Sequence, residues 1–404
     1  MTALSLVVAA AQAQPAWNFE QILQAALASH PLVQGKRSAQ TAAKADQDGT
    51  QWQRYPTLSL EASTPNGSNN STIAPSAGLL RIDQPLWSGG RITAGIDAAG
   101  SRFNAASAAI DEARQDLTLK VIAATTEALR QQIHKQHSAA GLKEHEKLLA
   151  MIERRVTQEV SPLADQRLAA SRLYATANEL STTTQALNNA LTQLTQLAGQ
   201  PVSDFDEQGL SEVGAPANLD TALSQAIAQS PTLRRLAFDE ETAKADIASK
   251  RSAYMPQLVL RLESSTSGQT SDQRAMLVLL AQPGAGLSAK SGTDAAVARL
   301  EAARLAREAA ERDVRERVTL DWNEWQASRL RLENANAARA MSTEVSESYA
   351  RQYTTGRKTW IDVLNAVREA TQSELTADDA RIQMLAASLR LRAQTGTLTG
   401  INQP

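Results

Sequence analysis

Three of the four histidines, His134, His137 and His145, fall within one stretch of helical periodicity. Imidazoles so spaced can hold zinc when further ligands converge on them. No carboxylate spacing here completes such a site, so the three read as solvated groups on a helix surface. The chain has no cysteine, which removes thiolate metal sites, disulfides and a lipidated N-terminal Cys. No hydrolase-type order of Ser, His and Asp, no phosphate loop and no dinucleotide turn is present. Trp322 and Trp325, three apart, read as packing rather than as a stacking platform for a ligand. The sequence thus offers no catalytic, metal or cofactor site, and the chain reads as no enzyme. Two carboxylates stand out instead. Asp165 and Asp362 each lie just beyond a break in a long helical stretch, where the dipole of the following helix favours an acid.

The elements that position them follow from a duplication. Residues Leu23 to Leu60 align without a gap on Leu223 to Leu260, and Pro31/Pro231, Pro56/Pro256 and Lys44-Ala45-Asp46/Lys244-Ala245-Asp246 are identical. Gln84-Pro85 against Gln282-Pro283, Asp165 against Asp362 and Gly199 against Gly396 continue the match with small shifts. The first copy covers 17–200 and the second 218–396, with a Gly/Pro/acidic connector at 201–217 and a short tail at 397–404. A net charge of −2 with evenly spread Lys and Arg gives no footprint for nucleic acid. Few aromatics and much Ala, Leu, Gln, Arg and Glu suit long packed helices rather than large compact cores.

In the first copy, short helices to Trp52 end at Tyr55-Pro56, and the period then changes to two. Leu58 and Leu60 alternate with polar neighbours, and Leu80 and Ile82 alternate with Arg81 and Asp83, which predicts a β-hairpin at about 57–87 across the polar loop Pro65 to Ser76. A proline-free helix is expected over 91–157, a tip at 158–162 and a return helix over 163–198. The return helix carries Leu173, Leu180, Leu187 and Leu194 at seven-residue intervals, a coiled-coil seam. The second copy repeats this: a hairpin at about 257–282 with Leu258 and Leu260 alternating, its second strand read from Arg274, a long helix over 293–354, a tip at 355–358 and a return helix over 359–395. Residues 1–13, a short apolar run ending in Ala11-Gln12-Ala13 without a basic start, resemble a secretory signal peptide.

Four strands of about ten residues suit a tilted crossing of a bilayer but cannot close a barrel, because open edges in hydrocarbon leave backbone groups unpaired. Two chains reach the minimum of about eight strands, whose interior side chains fill; three give twelve strands and room for a lumen. Leu58, Leu60, Leu258 and Leu260 are then expected to face lipid. The reading from another class is a non-conducting periplasmic coiled-coil adaptor or scaffold, which would need no lipid-facing strands.

The order of elements, the duplication, the hairpin exit Asp83-Gln84-Pro85-Leu86-Trp87-Ser88-Gly89-Gly90-Arg91 and the tip Arg351-Gln352-Tyr353-Thr354-Thr355-Gly356-Arg357-Lys358-Thr359-Trp360-Ile361-Asp362-Val363-Leu364-Asn365-Ala366 resemble the TolC family of outer-membrane efflux and secretion channels. The resemblance implies a mostly α protomer whose homotrimer forms a transmembrane β-barrel in the outer membrane and an α-helical tunnel in the periplasm. It implies as partners a periplasmic adaptor and an inner-membrane transporter, ABC or proton-driven, with no cofactor. Asp362 matches a constriction aspartate, and the second family aspartate is replaced by Asn365. Tyr353 and Lys358 match positions that link to the neighbouring hairpin, with Asp165 as acceptor. Val160, Ser161, Pro162, Gly356, Arg357 and Trp360 match the tips that meet the adaptor. Glu159 stands where many members have Gly. A Glu-Val-Ser-Pro tip beside a Gly-Arg-Lys-Thr-Trp tip is similar to the branch serving type I protein secretion, the alternative being multidrug efflux.

Overall fold

The computed structural model describes residues 16–63, 77–207, 210, 216–267, 270–281 and 288–398. The signal-like segment 1–13, the loop 65–76, Gln282-Pro283, most of 208–215 and residues 399–404 lie outside the described residues. The elements are α1 (Phe19–Ser29), α2 (Pro31–Trp52), β1 (Thr57–Ser63), β2 (Ala77–Trp87), α3 (Arg91–Thr157), α4 (Leu163–Ala198), α5 (Leu219–Gln229), α6 (Pro231–Arg251), β3 (Gln257–Ser267), β4 (Thr270–Leu280), α7 (Ser288–Thr354) and α8 (Trp360–Thr395). Among the described residues no helix is long and apolar enough to cross a membrane.

The long helices repeat in exact register. α3 and α7 both have 67 residues and α4 and α8 both have 36. Each second member begins 197 positions after its counterpart, at 288 against 91 and at 360 against 163. α7 starts five residues earlier than Ser291-Gly292-Thr293 suggested. One internal glycine costs a helix only about 1 kcal/mol, and Thr293 Oγ1 donates back to the carbonyl of Ala289 at 3.0 Å. β4 likewise starts at Thr270 rather than Arg274, because Thr270 to Gln273 pair with Ser267 to Ser264 of β3 although their side chains are polar.

Residues 1–33, 114–229 and 314–404 form one compact unit, and 34–113 and 230–313 a second. In the first, α1 packs on α4 and α5 on α8. Asn18 closes a capping box with Gln21 at the start of α1, and Ile22, Leu23 and Ala26 are buried. On α5, Ala222 and Ala226 meet Val318, Trp322 and Leu391, and Trp322 and Trp325 lie 5.1 Å apart as a packing pair. Leu117, Val121, Ala124 and Ala128 of α3 are at most 1 % exposed. Removing Leu117 or Val121 from water is worth roughly 1.5–3 kcal/mol each. Along the α4 seam, Leu187 and Leu194 are buried and Leu173 and Leu180 half-buried. Gly199 and Gly396, at φ 68° and 72°, end α4 and α8 in the left-handed conformation.

In the second unit the strands form one antiparallel sheet in the order β1-β2-β3-β4. α6 is tied to α3 by Arg235 Nε to Glu112 Oε2 at 2.7 Å and to α7 by the mostly buried Glu240, which meets Arg304, Arg307 and its own Lys244. The chain leaves β2 through Ser88-Gly89-Gly90. A Cβ on Gly89, at φ 58°, would lie 2.5 Å from Cβ of Met255, whereas one on Gly90, at φ 88°, meets nothing within 4 Å. Gly89→Ala should therefore destabilise by about 2–4 kcal/mol and Gly90→Ala by about 1 kcal/mol. Thermal unfolding in detergent checks this; equal costs at the two positions would refute the close approach.

Candidate functional site

Both long helices end in the same turn. Val160 N donates to Arg155 O at 2.9 Å with Glu159 at φ 59°, and Arg357 N donates to Gln352 O at 3.0 Å with Gly356 at φ 75°. A left-handed conformation costs a residue with a Cβ roughly 1–2 kcal/mol, and Glu159 bears that cost where the second tip has glycine. The helices that follow differ in their caps. Pro162 caps α4 with no side-chain bond, whereas Thr359 and Asp362 form a reciprocal capping box at the start of α8. Thr359 donates to Asp362 Oδ2 from its hydroxyl at 2.7 Å and from its backbone N–H at 3.0 Å. These bonds, the hydroxyl first, lower the Asp362 pKa, and Lys358 adds to the effect. Asp362 is thus a charged, half-exposed carboxylate, with Asn365 exposed one turn further along the same face.

Beneath the tips, Tyr353 and Trp360 are buried, 8 % and 4 % exposed, with ring centroids 5.8 Å apart. They join Leu148, Ile152, Ala169, Val363 and Leu364 in one cluster. Arg155, from the last turn of α3, lays its guanidinium 4.9 Å from the centre of the Tyr353 ring. Lys358 sits 4.0 Å from the centre of the Tyr349 ring. Within one chain, neither Tyr353 nor Lys358 bonds Asp165, which is half-exposed. Val160, Pro162, Gly356 and Arg357 form the exposed tip surface, Ser161 is half-buried, and Trp360 underlies it. Sequence reasoning missed Arg155. The Thr359-x-x-Asp362 capping signature was available in the sequence.

The histidines do not lie on a solvated surface as the sequence suggested. His134 Nε2 is 3.0 Å from Asp379 Oδ1, and His137 Nε2 is 2.8 Å from Asp378 Oδ2 with Nδ1 3.4 Å from Glu374 Oε2. Packing of α3 on α8 supplies carboxylates about 240 positions away, which no local spacing reveals. The two rings address different acids, and among the described residues no three His, Asp or Glu side chains converge as metal ligands. Burial, and then Arg172, lower the pKa of His145. His145 and His137 line a cavity of about 500 Å³ among α3, α4 and α8, together with Arg172, Asn365, Arg368 and Glu374.

The sheet has two unlike faces. Cross-strand partners share a face, so Leu58 with Ile82, Leu60 with Leu80, Ile82 with Leu262, Leu260 with Leu277 and Leu258 with Leu279 make one apolar surface. Leu58 and Leu60 on the edge strand are 69 % and 78 % exposed, while Leu258 and Leu260, flanked by strands on both sides, are half-buried. Leu277 and Leu279, 65 % and 67 % exposed, belong to the same face; the continuous apolar run of β4 hid their period. The opposite face carries Arg81 paired with Glu263 at 2.9 Å, Arg261 with Asp83 at 2.7 Å and Arg274 with Asp272. Exposed Trp52, Tyr55, Trp87 and Tyr254 gather where β1 and β3 begin and β2 ends, one end of the sheet.

A sheet with most of its leucines on one side and its Arg–acid pairs on the other, in a chain with two long helical hairpins, is the protomer fold of a membrane channel. The sequence matches the outer membrane efflux protein family over residues 22–200 and 222–397, and the chain belongs to that family. It is an outer-membrane channel component of an export system, with its helices in the periplasm. The fold is similar to that of CusC, with a TM-score of 0.84 and 17 % identity over 93 % of this chain and 91 % of that one. It is similar also to the outer membrane protein VceC of Vibrio cholerae, at 0.81 and 16 % over 94 % and 96 %, and to the open MtrE channel of Neisseria gonorrhoeae, at 0.80 and 17 % over 94 % and 91 %. Among curated proteins none matches the sequence. Channels of this family are trimeric and work with periplasmic adaptors and inner-membrane transporters.

Proposed function

We propose that three copies of this chain close a twelve-stranded barrel continuous with a periplasmic tunnel, through which cargo passes from an inner-membrane transporter and its adaptor. The observation that carries this reading is the sheet. Its four strands leave β1 and β4 as edges, and most of its leucines gather on one face. Unpaired backbone groups cost several kcal/mol each in hydrocarbon, so β4 of one chain pairs with β1 of the next. The apolar face then meets lipid and the Arg–acid pairs line the lumen. The aromatic side chains at one end of the sheet fit a membrane–water interface.

At the tips, Asp362 with Asn365 forms the constriction, giving three carboxylates around the axis instead of six. Such a ring attracts cations and repels anions. Asp165 accepts from Tyr353 and Lys358 of the neighbouring hairpin; that its carboxylate has no ion-pair partner among the described residues of its own chain supports that pairing. One exposed pair is worth at most about 1 kcal/mol, and three symmetric copies make a usable lock. The adaptor meets Val160, Ser161, Pro162, Gly356 and Arg357, with Trp360 supporting them from below. Of the two cargo classes, protein secretion is favoured by the likeness of both tips to the type I branch.

Three experiments test this. Leu60→Arg and Leu260→Arg should each impair barrel insertion by about 2–4 kcal/mol, seen as loss of a heat-modifiable trimer; assembly at the parent level would remove the lipid-facing assignment. In planar bilayers, Tyr353→Phe with Lys358→Ser should raise single-channel conductance, and Asp362→Ala should reduce cation selectivity and block by multivalent cations. Unchanged conductance with normal trimer yield would exclude the lock, and unchanged selectivity would place the constriction elsewhere. Deletion of the gene should abolish release of a large secreted protein while drug susceptibility stays constant; increased drug susceptibility with secretion intact would assign the channel to multidrug efflux.

A further inference from the structure

We propose that Arg155 is a positioning residue that clasps the two hairpin tips of one chain together by stacking its guanidinium on Tyr353. Three helix ends meet at this point. Arg155 lies in the last turn of α3, Tyr353 in the last turn of α7, and Trp360 is the first residue of α8. A cation in the last turn of a helix is already favoured by the dipole and needs no other reason to be there. The departure from that expectation is where the side chain goes. Its neighbour Arg154 is exposed, whereas Arg155 is half-buried against the ring, its Cζ 4.9 Å from the ring centre.

Among the described residues no carboxylate lies within ion-pair reach of Arg155, and none of their groups accepts from its buried Nε. An arginine that was only a helix-end charge would turn outward. Here the aromatic face holds the cation, and arginine suits it better than lysine because its flat guanidinium stacks and is more weakly hydrated. The same hairpin's Lys358 stands over Tyr349 instead, so it leaves the Tyr353 face to the first hairpin. Tyr353 in turn touches the Trp360 indole at 5.8 Å, and a Cβ on Gly356 would meet nothing within 4 Å. The turn at 354–359 is thus anchored through Tyr353 and Trp360 from below, with Arg155 as the cation that reaches the Tyr353 ring from the other hairpin, beside the apolar packing of Leu148, Ile152 and Ala169.

The clasp acts within one chain and through the ring, whereas the lock proposed above acts through the Tyr353 hydroxyl and Lys358. It deepens that gate reading by naming what fixes Tyr353 in the closed position. The test uses the full-length trimer and trypsin cleavage after Arg357 and Lys358, exposed and half-buried residues of the second tip, with single-channel conductance measured in parallel. Arg155→Met keeps length and apolar bulk, and it should speed cleavage between about 2- and 30-fold, the range a cation–π contact supplies, while the heat-modifiable trimer forms normally. Arg155→Lys should fall between parent and Arg155→Met. Tyr353→Leu should match Arg155→Met, and the two together should be no faster than either.

Additive effects of Arg155→Met and Tyr353→Leu, or a parent cleavage rate in Arg155→Met, would overturn the clasp. If Arg155→Met is silent while Tyr353→Phe with Lys358→Ser raises conductance, the clasp fails and the lock stands. Faster cleavage in Arg155→Met with a silent double variant supports the clasp and removes the lock between hairpins.

Discussion

Backbone hydrogen bonding at the two ends of a four-stranded sheet governs this molecule. β1 and β4 each present one row of N–H and C=O groups that no strand of the chain satisfies among the described residues. In water such an edge is a tolerable liability; beside an apolar face built for hydrocarbon it is not. The chain shortens the problem without removing it. β1 has seven residues, while β2, β3 and β4 have eleven each. In the closure proposed above, β4 of one copy is the partner of β1 of the next, and the remaining features then become useful. In that proposed arrangement the inward charges are paired by Arg–acid contacts across strands, and the outward leucines would need no partner but lipid.

The duplication shows which dimensions are fixed by physics and which are free. Both long helices keep 67 residues and both return helices 36, although the two copies have diverged widely in sequence. Each inserted residue turns a helix by about 100° and advances it 1.5 Å, so one insertion between turn and cap would take every seam residue off its face. The hairpins obey no such rule. β3 begins 200 positions after β1, yet β4 begins only 193 after β2, because a loop can lose residues without rotating what it joins.

What could be read in the sequence divides along the same line. Proline and glycine mark helix ends whatever surrounds them, so Pro56, Pro162, Gly199 and Gly396 located the breaks, and the alternation in β1 and β2 exposed two strands and their faces. Pairing between distant segments leaves no local trace. The face of Leu277 and Leu279 is defined by Leu260 and Leu258 across the ladder, not by the apolar run in which they sit. His134 and His137 look solvated from α3 alone, and their carboxylates come from α8. Arg155 follows another arginine in a charged last turn, and only the approach of α7 distinguishes the one that stacks from the one that does not.

The two tips are also unequal in a way that bears on how such a structure gives way. The second has glycine in its left-handed position and a full capping box, Thr359 with Asp362, a bond pair of the kind that contributes about 0.5–2 kcal/mol. The first places Glu159 in the left-handed position and opens α4 on Pro162, whose ring can offer no side-chain acceptor to the free N–H groups. Local conformational preferences therefore hold the second tip firmly and the first weakly. The buried cluster of Leu148, Ile152, Ala169, Tyr353, Trp360, Val363 and Leu364 binds the two together, so the weaker tip takes its order from the stronger one. Any force that separates α3 from α7 at this level removes that support from the tip least able to keep its shape alone.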